Sequence, residues 1–257
     1  MERFLTALQF LTVFRVKKDI EVTGESLAYS MAYFPLVGAL QGLILAAVYS
    51  LLSDTGLLQE SVSVAIALLV LVITNGALHL DGFADTVDGL AGGRTPQERL
   101  RIMRDSSVGA VGVVFLVFLL LIKYLAIQEV PDEYRARIFF IFPVIGRWAP
   151  VLMAYLAPYA RTGDGLGASF ASNSRATLIK ATVITCILSA FVLGALSLVL
   201  VGLTGVCVYL FTGFFKRRLG GVTGDVFGFQ AEAAELLFVI MALAMMNIFA
   251  IYSELYA

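Results

Sequence analysis

Charge is what this 257-residue chain has least of. Asp, Glu, Lys and Arg make up 14% of it, against roughly 25% in an ordinary soluble protein. There are two cysteines, Cys186 and Cys207, both in apolar runs and in no CxxC spacing, so they read as small packing residues and not as metal ligands. There is one histidine, His79, and no sign of the nucleophile geometry that a Ser-His-Asp hydrolase needs. No polar linker, composition break, internal repeat or low-complexity tract divides the chain, which excludes two soluble domains joined in series. No small-residue cleavage site follows the apolar start at 2–16; Arg15, Lys17 and Lys18 come instead, which argues against a signal peptide.

What the chain has in abundance is hydrophobic residues, 60% of the total. Several apolar runs reach the length of about 20 residues that crosses a bilayer core as a helix. The expected fold is therefore all-α: one polytopic membrane bundle over 1–257 with about seven spans and an N-terminal interfacial helix. Spans are expected near 30–52, 60–78, 108–127, 138–157 and 226–252. Residues 176–215 have room for two more, with Gly194, Gly202 or Gly205 at the turn. In 2–16 the polar residues Thr6, Gln9 and Thr12 recur every third position, which suits a helix lying in the membrane interface.

Basic residues fall unevenly across this topology. One side receives 14: Arg3, Arg15, Lys17, Lys18, Arg94, Arg99, Arg101, Arg104, Arg161, Arg175, Lys180, Lys216, Arg217 and Arg218. The other receives three, Lys123, Arg135 and Arg137. The richer side is cytoplasmic by the positive-inside bias, so the N-terminus and the loops 79–107, 158–180 and 216–235 are expected inside a cell (inner) membrane. The C-terminus is expected outside.

Those loops carry the acids. In HLDGFADTVDGLAGGR (79–94), Asp81, Asp85 and Asp88 are spaced i, i+4, i+7. On a helix they share one face, where like charges repel. A solvated helix start explains part of this. A divalent cation explains more, because Mg²⁺ takes carboxylate oxygens and keeps positions open for phosphate. Gly82, Gly89, Gly92 and Gly93 leave room for a ligand to approach the backbone. In GGVTGDVFGFQAEAAE (220–235), Asp225, Glu232 and Glu235 again share a face. The two glutamates lie inside a span, where acids are costly and a function is the default expectation. The six acids are candidate metal ligands. Arg101, Arg104, Asp105 and Ser106 in RLRIMRDSS are candidates to receive an anionic substrate. Arg147 lies inside a span and needs an anionic partner, a protein carboxylate or a ligand phosphate. His79 is a candidate proton acceptor or an orienter of an aspartate.

HLDGFADTVDGL, RIMRDSSVGAVGVV, IGR and GGVTGDVFG together resemble the cobalamin synthase family, also called adenosylcobinamide-GDP ribazoletransferase. ALQFLT and YFPLVGALQG near the N-terminus are similar to it too. The resemblance covers most of the chain. Phe83 and Phe227 stand where aliphatic residues are expected, and Arg104-Asp105 where lysine-aspartate is common. It implies a membrane enzyme that joins adenosylcobinamide-GDP with α-ribazole, or its 5′-phosphate, and releases GMP, with Mg²⁺ as cofactor. Asp88, His79 and Arg147 are then the expected catalytic residues, with Asp88 preferred as proton acceptor. Gly82, Gly89, Arg101, Arg104, Asp105, Ser106 and Arg147 are the expected phosphate contacts. The acid spacing is also similar in spirit to the CDP-alcohol phosphotransferases, but their arginine and the second half of their motif are missing here. The expected partners are these small molecules and the lipid bilayer, with no nucleic acid; association with other corrinoid enzymes or with a second copy of the chain stays open. The rival class is a cation- or proton-coupled transporter using the intramembrane acids. Such sites usually lie near the midplane on broken helices, whereas the best acidic set here sits in a glycine-rich stretch at a helix mouth.

Overall fold

The computed structural model describes residues 1–16, 24–161 and 174–255, with side chains through 248. Lys17, Lys18 and most of the expected 158–180 loop lie outside the described residues. The architecture is helical throughout, with no strand among the described residues. In chain order the helices are α1 Glu2–Leu11, α2 Gly24–Ser30, α3 Phe34–Asp54, α4 Glu60–Thr74, α5 Leu78–Gly92, α6 Pro96–Ile102, α7 Ala110–Gln128, α8 Asp132–Leu156, α9 Arg175–Leu193, α10 Ser197–Leu219 and α11 Gly224–Leu255. Among the described residues six helical segments are long and apolar enough to cross a membrane: α2 with α3, α7, α8, α9, α10 and α11. α4 and α5 pass the same test only as a pair, and that pair is bent by 87°. The expected multi-pass bundle is what the chain forms. The ambiguous stretch 176–215 holds two crossings, and the turn is at Gly194, in the positive-φ region open to glycine (φ 81°).

The expected straight span at 60–78 is different. α4 stops at Thr74 after 15 residues, a rise of roughly 22 Å, short of the about 30 Å of a hydrocarbon core. Gly76 and Ala77 then turn with φ of 60° and 57°, and the Asn75 side chain accepts from the Ala77 N–H. α5 leaves at nearly a right angle. The aspartates thus sit not at the mouth of a membrane helix but along a helix that runs across the end of one.

α1 is also corrected in detail. Thr6 and Thr12 are buried, and their hydroxyls donate to the carbonyls of Glu2 and Leu8 in the preceding turn. The threonines of the polar stripe therefore face the protein and not the water.

α8 is the centre of the bundle, buried along most of its length. α3 packs against it through Gly38 and Gly42, a small-x-x-x-small spacing that lets two backbones touch. A Cβ at Gly38 would meet the backbone at Pro143, and one at Gly42 the backbone at Phe140. Gln41, between these glycines, is thereby aimed into the bundle. On the far side α11 packs along both α8 and α5, so the two acidic helices meet.

Candidate functional site

Two close crossings build the site. At the first, α5 meets the start of α11 through Gly82 and Gly228. A Cβ on Gly82 would lie 2.8 Å from the Asp225 carbonyl oxygen, and one on Gly228 3.0 Å from that of His79. Only glycine permits this approach, and the approach brings Asp225 beside Asp81 and Asp85. The turn before α11 is held by a short parallel bridge between Tyr159 and Val222, with Ala160 N–H donating to Val222 and Val222 N–H to Pro158. That bridge delivers Arg161, whose Nη2 donates to Asp225 Oδ2 at 2.5 Å. Arg161 was counted only as a basic loop residue in the sequence. Nothing in its local pattern marks it as a partner of Asp225.

At the second crossing, Asp88 receives α7. Its Oδ2 accepts from Gly109 N–H at 2.7 Å and its Oδ1 from Gly112 N–H at 2.8 Å, the free donors at a helix start. A side chain on either glycine would collide with the carboxylate. This is the physical content of the GAVG motif: the two oxygens of Asp88, an expected metal ligand and proton acceptor, fasten α7 to α5. Gly89, an expected phosphate contact, packs against Met103 and Arg99 of the α6 region. Arg99 bonds the carbonyls of Gly93 and Arg218. Arg101, Arg104, Asp105 and Ser106 stand exposed around the end of α6. Hydrogen bonds from the Ser107 backbone and hydroxyl hold the Asp105 carboxyl below its usual range.

Glu232 and Glu235 were expected among the metal ligands beside Asp225. They point instead into a buried cluster of opposite charge. Lys123 Nζ donates to Glu232 Oε2 at 2.6 Å and to Glu235 Oε2 at 2.8 Å; Arg147 Nη1 donates to Glu235 Oε1 at 2.8 Å. Two cations and two anions cancel, which is how charge survives inside a bundle. Lys123 had been counted with the sparse basic residues of the outer side. It is 2% exposed, inside α7. Gly146 leaves the space that Glu235 occupies, which explains the IGR motif: the glycine admits the carboxylate and the arginine neutralises it.

Arg147 also donates through Nε to Gln41 Oε1 at 3.0 Å. Its Nη2 has no hydrogen-bond partner among the described residues, and neither does His79 Nδ1. Both side chains are buried, at 0% and 5% exposure, and both line one cavity of about 170 Å³ together with Asp81, Gly82 and Asp225. Buried polar atoms are seldom left unpaired, so two unpaired nitrogens on residues that line the same cavity mark it as a candidate ligand site. The opposite wall is apolar, formed by Phe10, Leu11, Met31 and Phe34.

Asp81, Asp85 and Asp225 leave this region with an excess of negative charge that Arg161 offsets only in part; Asp85 feels the charges of Asp81, Asp225 and Asp88. As they stand, no three His, Cys, Asp or Glu side chains among the described residues form a closed metal-binding group. The donor chemistry nonetheless suits a hard divalent cation that shares its coordination with substrate oxygens.

A relative from Syntrophobacter fumaroxidans, named adenosylcobinamide-GDP ribazoletransferase, is 39% identical over 94% of this chain and 98% of its own length. Relatives of the same name from Geotalea daltonii and Desulforamulus reducens are 37% and 36% identical, over 91% and 89% of this chain and 94% and 91% of their own. No solved structure matches. The family described as Cobalamin-5-phosphate synthase matches residues 3–243, and a match over that span, with relatives at these identities, shows that the chain belongs to the cobalamin-5-phosphate synthase family.

Proposed function

We propose that this chain transfers the phosphocobinamide part of adenosylcobinamide-GDP to a hydroxyl of α-ribazole, or of its 5′-phosphate, and releases GMP. The site would face the cytoplasm of a cell (inner) membrane, the side favoured by 14 basic residues against three. The observation that carries the reading is the cavity lined by His79, Asp81, Arg147 and Asp225, with Arg147 Nη2 and His79 Nδ1 unpaired among the described residues. Its support is membership of a family whose relatives carry the name of this transfer.

The transfer breaks the pyrophosphate link and forms a phosphorus–oxygen bond to the acceptor hydroxyl. It needs donors for phosphate oxygens, an acceptor for the hydroxyl proton and a way to tolerate the charge of the leaving GMP. Arg147 Nη2 would donate to a phosphate oxygen, held in place by Gln41 and Glu235. His79 Nδ1 would take the hydroxyl proton, the role that Asp88 gives up to Gly109 and Gly112. Asp81, Asp85 and Asp225 would hold Mg²⁺, with Arg161 setting the orientation of Asp225. When bound there, Mg²⁺ supplies positive charge that neutralises the pyrophosphate and the departing GMP.

The test is GMP release by the purified protein in detergent or leaky nanodiscs, given both substrates and Mg²⁺. Product should form without any gradient, chelation should stop it, and an ionophore added to sealed vesicles should leave it unchanged. Product only in sealed vesicles under an imposed gradient, or corrinoid movement without GMP, would instead support the transporter reading.

A further inference from the structure

The cavity beside His79 and Arg147 has two unlike ends. α5, α8 and α11 contribute all its polar groups along with Leu78, Pro150 and Phe227, whereas α1, the short turn at Met31 and the start of α3 contribute only the apolar Phe10, Leu11, Met31 and Phe34. Phe10 and Phe34 are stacked, with ring centroids 6.1 Å apart and an interplanar angle of 17°. The N-terminal segment thus closes a site whose chemistry lies on helices far along the chain. At about 170 Å³ the cavity is smaller than the about 300–1,000 Å³ that takes a whole drug-sized ligand. It has room for one ring system, not for a complete nucleotide or a corrin.

We infer that its apolar end is the seat of the benzimidazole ring of α-ribazole, an inference that rests on the proposed function. The hydrocarbon edge of that ring carries two methyl groups and no hydrogen-bonding atom, which matches the Phe10–Met31–Phe34 wall. Guanine, the base of the donor, has donors and acceptors around its rim. Against this wall they would be stranded, and a buried polar atom without a partner costs more than any apolar contact returns. Seating the ring at the apolar end turns the attached ribose toward His79, Asp81 and Arg147. The acceptor hydroxyl then meets its proton acceptor at the same end as the phosphate donor, and the GDP part of the other substrate is left to the exposed side around Asp81 and Asp85. Under this assignment Phe10, Met31 and Phe34 determine acceptor specificity and have little influence on the corrinoid.

Calorimetric titration of the detergent-purified protein tests this with α-ribazole, with the benzimidazole riboside that lacks both methyl groups, and with guanosine as competitor. α-Ribazole should bind in the absence of donor. Loss of the methyls should weaken binding about tenfold, the size expected for two buried methyl groups, and guanosine should not displace it. Phe34→Leu and Phe10→Leu, each checked for an unchanged unfolding temperature, should raise the Kd for α-ribazole at least fivefold and leave the KM for adenosylcobinamide-GDP within twofold. The analogue comparison needs no variant, so it stands if a substitution fails to fold. Failure of α-ribazole to bind, equal affinity for the methyl-free riboside, displacement by guanosine, or variants that raise only the donor KM would each overturn the assignment. If wild-type protein releases no GMP yet shows this ligand ranking, the activity falls and the ring site stands. If it releases GMP without the ranking, the ring site falls and the activity stands.

Discussion

Asp88 and Gly112 are bound to each other across two helices: the carboxylate Oδ1 accepts the Gly112 N–H at 2.8 Å, and the glycine has no side chain because the carboxylate fills that space. The pair ties the aspartate helix to the first full span after it. Gly112→Ala should therefore damage the fold more than the site. Asp88→Asn should be milder, costing about 1–3 kcal/mol, because the amide keeps one acceptor and sets an N–H against an N–H at the other. Unfolding temperatures of both variants check the order; an Asp88→Asn protein as stable as the parent but inactive would point to a direct catalytic role instead.

The buried quartet makes a second prediction. Lys123→Met leaves Glu232 and Glu235 with Arg147 alone and should cost about 3–5 kcal/mol, the usual penalty for stranding one half of a buried pair. Lys123→Met combined with Glu232→Gln removes one charge of each sign and should recover part of that loss. A double-mutant cycle on stability measures the coupling; strictly additive losses would mean that the two side chains act independently.

For the proposed metal set, Asp81→Asn, Asp85→Asn and Asp225→Asn should each cut turnover on the order of 100-fold, as the loss of a charge contact in the transition state does. Each should also raise the Mg²⁺ concentration needed for half-maximal rate. Glu232→Gln should leave that Mg²⁺ requirement unchanged, since its carboxylate is bound to Lys123. A Glu232→Gln enzyme that demands more Mg²⁺ would return this glutamate to the metal site.

Arg147→Lys keeps the charge but has one ammonium where the native side chain bonds Gln41 and Glu235 and holds a further nitrogen, Nη2, unpaired among the described residues. The variant should stay folded in the membrane and lose substrate use by a factor of about 10 or more, because it loses the planar fork. Kinetics with adenosylcobinamide-GDP check this, and unchanged constants would show that Nη2 never reaches the substrate.

Much of this molecule was legible in its sequence because hydrophobic length and charge have few solutions in a bilayer. The spans, the two crossings at 175–219 and the meeting of Asp81 and Asp85 with Asp225 follow from patterns of that kind. The bend at Gly76 and Ala77 was hidden, since glycine is common inside membrane helices and hydropathy has no direction. Lys123 was misassigned because it lies a few residues from a span's end, where a lysine ordinarily reaches back to water. Two glutamates three residues apart on another span, each needing a cation, were the signal that could have found it. Arg161 carries no such signal; only the Tyr159–Val222 bridge, a contact between distant segments, brings it to Asp225.

The Lys123–Glu232 pair joins residues 109 positions apart, and that separation has a meaning in time. Chains are made from the N-terminus at about 5–20 residues per second, so α7 is complete for roughly 5–20 s before Glu232 is synthesised. Arg147 waits nearly as long for Glu235. Through that interval Lys123 and Arg147 lack the glutamates that neutralise them in the finished fold, and α11 is equally burdened until it meets them. The last span is therefore the keystone of biogenesis: a chain stalled before residue 232 holds α7 and α8 in a state that the bilayer resists. Quality control has a clear mark to read there, an uncompensated lysine and arginine that only the finished protein conceals.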